Sequence, residues 1–232
     1  MIPIRPHVVC DIPNGSSILD QINTIARTCY KSEGKMSDPD YDPLKLPQML
    51  IKNGHEAMLE HFSFSAKFVT NRSTSHELVR HRMASFAQES QRYCNYSKNK
   101  FQNQVAFIIP IWADQDIRLY SQWEEACKES EFRYMQLLDE GLPPQYARSV
   151  LTNDCKTEVW VTANLREWRH ILKLRTDKNA HPEIRRLMVS LARALKKEIP
   201  VIFDDIELSD DPIDGECIVW DSEDLDTGVF AG

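Results

Sequence analysis

The sequence predicts an α+β protein with a mostly antiparallel sheet packed against helices, and three observations support this prediction. Predicted helices and strands are interleaved irregularly, without the strict strand–helix alternation of a parallel sheet. The clearest strand, at residues 62–68, alternates apolar and polar side chains and is therefore apolar on one face. The seven glycines never form the spacings G-x-G-x-x-G or G-x-x-x-x-G-K, which excludes a Rossmann fingerprint and a P-loop. A bound nucleotide would have to be held by side chains.

Each predicted element rests on the spacing of apolar residues and on the residues that begin or end it. The predicted strands are residues 7–12, 62–68, 105–109 and 157–162. The predicted helices are a segment capped by Ser16 or Ser17, and residues 44–53, 76–82, 114–140, 143–151, 165–175 and 182–198. Gly54 and Gly141 end two of these helices, and Pro182 occupies the first position of the last one. The Ser-Thr-Ser stretch after Asn71 provides the cap of the third helix.

Charge is distributed unevenly along the chain. The 232 residues carry a net charge of −7, but all 28 lysines and arginines lie before residue 201. Residues 1–200 hold 24 acidic groups and have a net charge of +4. Eleven acidic residues follow: Asp204, Asp205, Glu207, Asp210, Asp211, Asp214, Glu216, Asp221, Glu223, Asp224 and Asp226. We therefore predict a folded body, residues 1–203, and a loosely docked acidic tail, residues 204–232, that lies away from any anionic site.

The cysteines and the apolar runs indicate the compartment. Six cysteines are spread along the chain without a C-x-x-C pair, a poor pattern for zinc and for a small disulfide framework. Free thiols in a reducing environment are the preferred interpretation. The longest apolar run, residues 105–113, is half as long as a bilayer span, and no charged stretch followed by a hydrophobic one opens the chain. The sequence predicts a cytoplasmic protein without a membrane partner.

The densest group of polar residues begins with Arg80-His81-Arg82. It continues through Ser85, Gln88, Glu89, Ser90, Arg92, Tyr93 and Asn95. Taken alone, three cations at a helix end are most often a solvated face that complements the helix dipole. Here they run into a segment rich in hydrogen-bonding side chains and flanked by Met83 and Phe86, where burial is expected. Such a group of donors suits an anionic, planar ligand.

A second group of cations lies on one predicted helix, with Asn164 just before it and Arg175 just after it. Its members, at three- and four-residue spacing, are Arg166, Arg169, His170 and Lys173. Without a partner motif, a basic stripe that faces solvent is the preferred interpretation. Arg148 is equally ambiguous when considered alone.

Metal ligation and nucleophilic catalysis are not predicted. His55-Glu56 lacks the second histidine of the motif H-E-x-x-H, because Leu59 stands at that position. His76 and His81 are five residues apart and point to different sides of a helix. Ser90 lacks the G-x-S-x-G context of a catalytic serine.

In combination these motifs resemble those of the flavin-dependent thymidylate synthases. Arg80-His81-Arg82, followed after seven residues by Ser90, is similar to the signature of that family. The match extends through Ser85, Arg92 and Tyr93. The other family landmarks are Gly54-His55-Glu56, Arg148, Asn164-Leu165-Arg166, Arg175 and residues 180–185. The resemblance covers roughly residues 5–203.

The resemblance implies a non-Rossmann flavin-binding fold and a homotetramer with FAD between subunits. It also implies methylation of dUMP to dTMP, with methylenetetrahydrofolate as carbon donor and NADPH as the reductant of the flavin. The residues implied to bind FAD are His55, Arg80, His81, Arg82, Asn164, Arg166 and His170. The residues implied to surround dUMP are Glu77, Gln88, Glu89, Ser90, Arg92, Arg148 and Arg175. Arg80 and Arg175 are the implied catalytic pair, and the choice between Glu77 and Glu89 as the carboxylate beside dUMP stays open.

Two alternatives remain at this point. A nucleic-acid-binding module would suit the positively charged body, but the arginines fall into separate motifs and no aromatic RNA-binding signature is present. A degenerate relative that binds flavin or nucleotide without turnover would carry the same motifs. The sequence favours the enzyme over both and predicts no nucleic-acid partner.

Overall fold

The computed structural model of the chain describes residues 1–209 and 219–220. The strands are β1 (Ile2–Ile4), β2 (His7–Val9), β3 (Ser63–Asn71), β4 (Ser85–Gln88), β5 (Ala106–Ile108), β6 (Lys156–Asn164) and β7 (Val219–Trp220). The helices are α1 (Gly15–Thr28), α2 (Lys45–Lys52), α3 (Arg72–Leu78), α4 (Ile117–Asp139), α5 (Pro144–Ala147), α6 (Leu165–Arg175), α7 (Pro182–Glu198) and α8 (Pro200–Phe203). Short 3₁₀ segments cover Glu33–Ser37, Glu56–His61, Asn99–Phe101, Ala113–Gln115 and Arg148–Val150.

A five-stranded sheet organises the described residues, with the strand order β4-β6-β3-β2-β7. Neighbouring strands are antiparallel except β2 and β7, which are parallel. The longest pairing joins β3 to β6, from Ser63 opposite Asn164 to Asn71 opposite Lys156. A separate parallel pair is formed by β1 and β5. The predicted α+β class with a mostly antiparallel sheet is therefore confirmed.

The core lies between one face of this sheet and helices α1, α6 and α7. Phe64, Ala66 and Phe68 alternate along β3 and are buried on the inner face, as their spacing predicts. The indole of Trp168 on α6 stacks on Phe64 at a centroid distance of 4.9 Å and donates a hydrogen bond to the Phe64 carbonyl. Trp168 is fully buried, and burial of a side chain of this size stabilises the fold by roughly 2–3 kcal/mol. Helix α6 is thus fixed against the sheet.

The helix that precedes Arg80 begins and ends four residues earlier than predicted. It begins after Asn71, whose Oδ1 accepts a hydrogen bond from the backbone N–H of Thr74 at 2.8 Å, so Asn71 is the cap instead of the following serines. It ends at Leu78, and the N–H groups of Arg80 and His81 then bond carbonyls only three residues back. The Arg80-His81-Arg82 motif therefore occupies a turn rather than a helix. The segment after it forms strand β4, which is absent from the predicted strands.

Most other elements agree with the predictions to within a few residues. Helices α6 and α7 have the predicted bounds, and both predicted glycine stops, Gly54 and Gly141, have positive φ angles. Helix α1 is capped by Asn14, whose Oδ1 accepts from the N–H of Ser17 at 3.1 Å, instead of by a serine. Strands β1 and β7 are additional to the predicted set. Both are three residues or shorter, below the length at which a periodic pattern is visible.

The beginning of the acidic segment is packed against the body. Ile206 is buried, and the hydroxyl of Thr176 donates to the carbonyl of Glu207 at 3.1 Å. Further along, Val219 and Trp220 pair with strand β2. Loose docking is therefore wrong for these parts of the tail, while residues 210–218 and 221–232 lie outside the described residues. The division at residue 203 stays a prediction.

The sequence predicts free cysteines and no membrane-spanning segment. Within residues 1–209 and 219–220, none of the five cysteines forms a disulfide. In the same part of the chain, no helix combines the length and the apolar character needed to cross a bilayer.

Candidate active site

A cleft of about 460 Å³ opens where strand β6 passes into helix α6. The side chain of Asn164 caps this helix by accepting from the N–H of Glu167 at 2.9 Å. The facing wall is the 3₁₀ segment Glu56–His61, which packs against α6. The cleft is lined by Glu56, Glu60, Met83, Asn164, Arg166, Glu167, Arg169, His170 and Lys173. Three of the residues predicted to bind FAD, Asn164, Arg166 and His170, are therefore brought together here.

The arginine three residues after Arg166 is buried, which corrects the prediction of a solvent-facing stripe. Arg169 is only 1% exposed and donates through Nη1 and Nη2 to the two carboxylate oxygens of Asp205, both at 2.7 Å. It also donates through Nε to Glu56 at 3.1 Å and to the backbone carbonyl of Ile202. Arg166, in contrast, is exposed and pairs with Glu60 at the rim. Helix α6 presents one arginine to the interior and one to the cleft mouth.

These ion pairs hold their members in the charged state. Burial on its own would lower the pKa of Arg169, but the carboxylates of Asp205 and Glu56 outweigh burial and raise that pKa. Hydrogen bonds from Arg169 lower the pKa of Asp205 against the opposing effect of partial burial. Lys173, on the same helix, lies 3.3 Å from Asp205. The floor of the cleft is thus a fixed, internally neutralised group.

Arg175 lies at the end of α6 and joins the two cationic motifs. Its Nη1 donates to Glu77 Oε2 at 2.7 Å, its Nη2 donates to the Glu77 carbonyl at 3.2 Å, and its Nε donates to His81 Nε2 at 3.1 Å. All three nitrogens of the guanidinium are engaged with α3 and the turn after it. The orientation of Arg175 is therefore defined by two residues that lie more than 90 positions earlier in the chain.

His81 is neutral at physiological pH. It is 6% exposed, and its pKa is lowered to about 4, first by burial and then by the charges of Arg175 and His170. Because its Nε2 accepts from Arg175, the proton of the neutral ring resides on Nδ1. The rings of His81 and His170 meet edge to face at a centroid distance of 6.3 Å. Buried His81 thus lies next to both Arg175 and the cleft residue His170.

The same two histidines and Glu167 form a group with metal-binding chemistry. One ligand atom from each lies within 4.8 Å of the others, the one such group of three among the residues that the structure describes. Imidazole and carboxylate are ligands of zinc and of first-row transition metals. The Nε2 of His81 is already engaged by Arg175, however, and Arg166 and Lys173 add positive charge to the cleft. The expectation of no metal stays a prediction that elemental analysis can check.

Three of the remaining predicted substrate residues, Gln88, Glu89 and Ser90, lie near the opposite end of strand β6. Gln88 is the last residue of β4 and pairs with Val159, and the N–H of Glu89 bonds the carbonyl of Glu158 at 2.9 Å. Gln88 extends toward α3, where its Nε2 donates to the Ser75 hydroxyl at 2.9 Å. Successive side chains of an extended segment alternate between faces, and Glu89 extends to the other face. The side chains of Gln88 and Glu89 therefore cannot both line one site on one face of this chain.

The two ends of β6 are far apart. Glu158 and Asn164 are six residues apart in an extended strand, which corresponds to about 20 Å. Ser90 follows Glu89 at the first end, where its hydroxyl accepts from the N–H of Arg92 at 3.3 Å. Asn164 marks the cleft end. One copy of the chain brings three of the predicted FAD residues together in the cleft and places Gln88, Glu89 and Ser90 outside it.

Several predicted cations are presented to solvent. Arg80, Arg82 and Arg92 are exposed, and Arg148 is partly exposed at the start of a 3₁₀ segment. Among the described residues, none of the four has a carboxylate partner. The guanidinium of Arg92 lies over the ring of its neighbour Tyr93 at 5.4 Å from the centroid. His55, which precedes the 3₁₀ wall of the cleft, is likewise exposed. These groups are available to an anionic ligand or a second copy of the chain.

Comparison with known proteins identifies the family. The family described as thymidylate synthase complementing protein matches residues 17–201. The chain belongs to this family. A flavin-dependent thymidylate synthase from Geobacter sulfurreducens is 35% identical over 187 residues, which are 78% of each protein. Another protein of that name, from Corynebacterium aurimucosum, is 31% identical over 216 residues, which are 86% of this chain and 84% of the relative.

A solved structure shares the fold of this family member. The UMP/dUMP methylase PolB from Streptomyces cacaoi, crystallised with 5-Br dUMP, superposes with a TM-score of 0.73. The match covers 88% of this chain and 96% of that chain, at 23% sequence identity. The similarity supports the α+β architecture described above.

The structure adds residues that the sequence analysis does not single out for the site. In the sequence, Glu56 is only a family landmark. In the fold, it accepts a hydrogen bond from buried Arg169. Glu60 and Asp205 neutralise cations of the cleft, and Lys156 and Tyr96 engage Glu89. Their partners lie between 7 and 113 positions away, so no local pattern reveals them. Asp205 gives a partial signal, because it belongs to the acidic segment.

Proposed function

We propose that this chain methylates dUMP to give dTMP, as a flavin-dependent thymidylate synthase. The observation that carries the proposal is the convergence of Arg175, Glu77 and His81 beside the cleft that holds Asn164, Arg166 and His170. These residues come from separate motifs and meet in the fold. The names of the curated relatives and the 5-Br dUMP bound to the fold neighbour support the same assignment.

The donor set of the cleft fits FAD. A pyrophosphate requires cations, and Arg166 lies at the cleft mouth, while Arg80 and Arg82 are exposed in the turn that follows α3. The amide of Asn164 and the ring of His170 supply further polar groups, and His55 precedes the facing wall. Arginine side chains would thus replace the glycine-loop amides that the sequence lacks. Reduced flavin supplies a hydride for the reaction when it is bound.

Arg175 is the residue that we assign to the uracil ring. Methylation at C5 requires electron density at that carbon, and preorganised hydrogen-bond donors stabilise the anionic ring that develops. Glu77 and neutral His81 hold the guanidinium in one orientation before substrate arrives, which reduces the reorganisation needed during reaction. Arg80 lies two positions past α3, close in sequence to both groups, and is the second cation that we assign to catalysis.

We assign the completed dUMP site to two copies of the chain. In one copy, Ser90 lies near the Glu158 end of β6, about 20 Å along the strand from the Asn164 end where the cleft opens, and Arg92 is exposed to solvent. A homotetramer with FAD between subunits would bring the exposed arginines of one copy to the cleft of another. Methylenetetrahydrofolate as carbon donor, NADPH as reductant and a cytoplasmic location complete the proposal.

The activity is tested with the purified protein. It should be yellow, and it should release tritium from 5-tritiated dUMP in the presence of methylenetetrahydrofolate and NADPH. A colourless protein that neither takes up added FAD nor releases tritium would overturn the proposal. A protein that binds both FAD and dUMP without turnover would instead indicate a degenerate family member.

The shared site is tested by mixing two inactive variants. Arg175→Ala removes the guanidinium held by Glu77 and His81, and Ser90→Ala combined with Arg92→Ala removes the side chains that follow β4. Because each copy keeps one intact half, mixed oligomers formed by joint refolding should regain a measurable fraction of wild-type turnover. Mixed oligomers that remain as inactive as the two parents would show that one copy builds the whole site.

A further inference from the structure

Glu89 occupies an unusual place in the segment predicted to contact dUMP. Its neighbours Gln88 and Ser90 are both predicted substrate residues, and Gln88 extends toward α3. The carboxylate of Glu89 extends to the opposite face, where Oε1 accepts from the hydroxyl of Tyr96 at 3.0 Å and Oε2 lies 3.0 Å from Lys156 Nζ. Oε1 therefore has a hydrogen-bond partner, and Oε2 has an ion-pair partner. The negative charge of this side chain is already neutralised before any nucleotide binds.

The partners of Glu89 are themselves fixed. Lys156 is 16% exposed and also pairs with Glu158 at 2.6 Å. The Tyr96 ring is buried and packs against Tyr134, at a centroid distance of 5.7 Å. Burial on its own would lower the pKa of Lys156, but the carboxylates of Glu89 and Glu158 outweigh it and raise that pKa. Glu89 thus faces a permanent cation and a hydroxyl, each held by the core.

The backbone around Glu89 is tied down at the same point. Its N–H donates to the carbonyl of Glu158 at 2.9 Å, and its carbonyl accepts from Arg72 Nη1 at 3.3 Å. Immediately after it, the Ser90 carbonyl accepts from the N–H groups of Tyr93 and Cys94. The residue is held by its N–H, its carbonyl and its carboxylate. The positions of Gln88 and Ser90 follow from those contacts, because they are the adjacent residues.

We propose that Glu89 is a positioning residue that fixes Gln88 and Ser90 for dUMP through its bonds to Tyr96 and Lys156, without touching the nucleotide. This inference rests on the proposed function and assigns Tyr96 and Lys156 a role in substrate binding that no motif predicts. It separates the two carboxylates of the motifs: Glu77 orients Arg175, and Glu89 orients the segment that follows β4.

The test compares Tyr96→Phe with Glu89→Gln. Tyr96→Phe removes one hydroxyl and keeps the buried ring, and Glu89→Gln keeps the shape but weakens the bond to Lys156. Each should raise the KM for dUMP about tenfold, the effect of losing one charge-assisted hydrogen bond, while kcat and the flavin spectrum change little. The double variant Glu89→Ala/Tyr96→Phe should match Glu89→Ala alone, because both changes break one interaction.

Lys67→Met is the matched control. Lys67 belongs to the same run of charges, since its Nζ lies 3.4 Å from Glu158, but it does not contact Glu89. Its loss should leave the KM for dUMP unchanged. A Tyr96→Phe protein with wild-type KM beside a Glu89→Gln protein with a raised KM would overturn the proposal, because it would indicate direct contact of Glu89 with substrate. Fully additive effects in the double variant would also overturn it. Absence of dUMP turnover in the wild-type protein would instead count against the proposed function.

Discussion

The two ends of strand β6 use charged residues in different ways. At the Glu158 end, Lys156 and Lys67 neutralise Glu158 and Glu89, and Glu89 is held next to the buried Tyr96 ring. At the Asn164 end, Arg169 is neutralised below the cleft, while Arg166 and His170 remain at its surface. The first end fixes backbone positions, and the second presents cations to a ligand above a neutralised floor. Sequence position alone does not distinguish these uses, because both ends are rich in lysine, arginine and glutamate.

The difference follows from desolvation. A charged side chain that is withdrawn from water requires a partner, and its partner then orients it. A cation that stays at the surface keeps its capacity to bind an anion. We therefore expect substitutions at surface cations to reduce activity and substitutions at buried ones to reduce stability.

Arg175→Lys should have the largest effect on activity. Lysine cannot reproduce the planar fork that contacts Glu77 and His81 together, so the donors aimed at the uracil ring would be misplaced. We expect kcat/KM for dUMP to fall by about 100- to 1,000-fold, while the unfolding midpoint falls only slightly because lysine keeps the charge that pairs with Glu77. Tritium release from 5-tritiated dUMP measures it, and Arg193→Lys at an exposed position of α7 is the matched control. A variant with near wild-type kcat/KM would break the assignment of Arg175.

Arg169→Met should have the largest effect on stability. Removal of the guanidinium leaves Glu56 without its cation and Asp205 with Lys173 alone. We expect a loss of about 2–4 kcal/mol in unfolding free energy, reduced from a fully buried pair because Asp205 is 43% exposed. Urea unfolding measures the change. Arg166→Met on the same helix should leave the unfolding midpoint almost unchanged but weaken FAD binding. Equal destabilisation by Arg169→Met and Arg166→Met would contradict the distinction between buried Arg169 at the floor of the cleft and exposed Arg166 at its rim.

The neutral histidine of the cleft should give a smaller, pH-dependent effect. In the unfolded chain His81 takes up a proton near its ordinary pKa of 6.5, whereas in the folded protein its pKa is about 4. Stability is therefore lost as the pH falls from 6.5 toward 4, by about 2 kcal/mol between pH 6.5 and pH 5. His81→Gln retains an acceptor for Arg175 and should lose correspondingly less. His7, whose pKa is also lowered by burial, is present in both proteins, so the difference in urea unfolding isolates His81.

Equal losses of stability in the two proteins would contradict a neutral His81. If wild type and His81→Gln lose the same unfolding free energy between pH 7 and pH 5, then His81 takes up its proton equally in both states. The folded protein would then not favour the neutral His81 ring, which the hydrogen bond from Arg175 Nε requires.

Removal of residues 221–232 should have the smallest effect. Their acidic groups, Asp221, Glu223, Asp224 and Asp226, carry the same sign as the phosphate of dUMP and contribute no attraction to it. We expect the Kd for dUMP to change less than twofold, as measured by titration of the flavin spectrum. A large loss of affinity in a folded, yellow protein would place this segment at the site and contradict the tail prediction.

Much of the fold is predictable from local patterns. The alternation of Phe64, Ala66 and Phe68 predicts a strand with one buried face, and the spacing along residues 165–175 predicts α6 with its bounds. The predictions are wrong where a single side chain decides at which residue an element begins. Asn71 begins α3 earlier than the serines suggest, and the helix ends before the arginine motif instead of including it. Strand β4 is missed because its four residues form a strand only through pairing with β6.

The sequence by itself determined the family, the α+β class and the polar residues from which a flavin and nucleotide site can be built. It did so because motifs and periodicity are local properties of the chain. Only the tertiary structure decided that Arg169 is buried while Arg166 is exposed, and that Gln88 and Glu89 extend to opposite faces. The physical reason is that a charge takes its role from its partner and its solvent exposure. For Arg169 those partners, Asp205 and Glu56, lie 36 and 113 positions away.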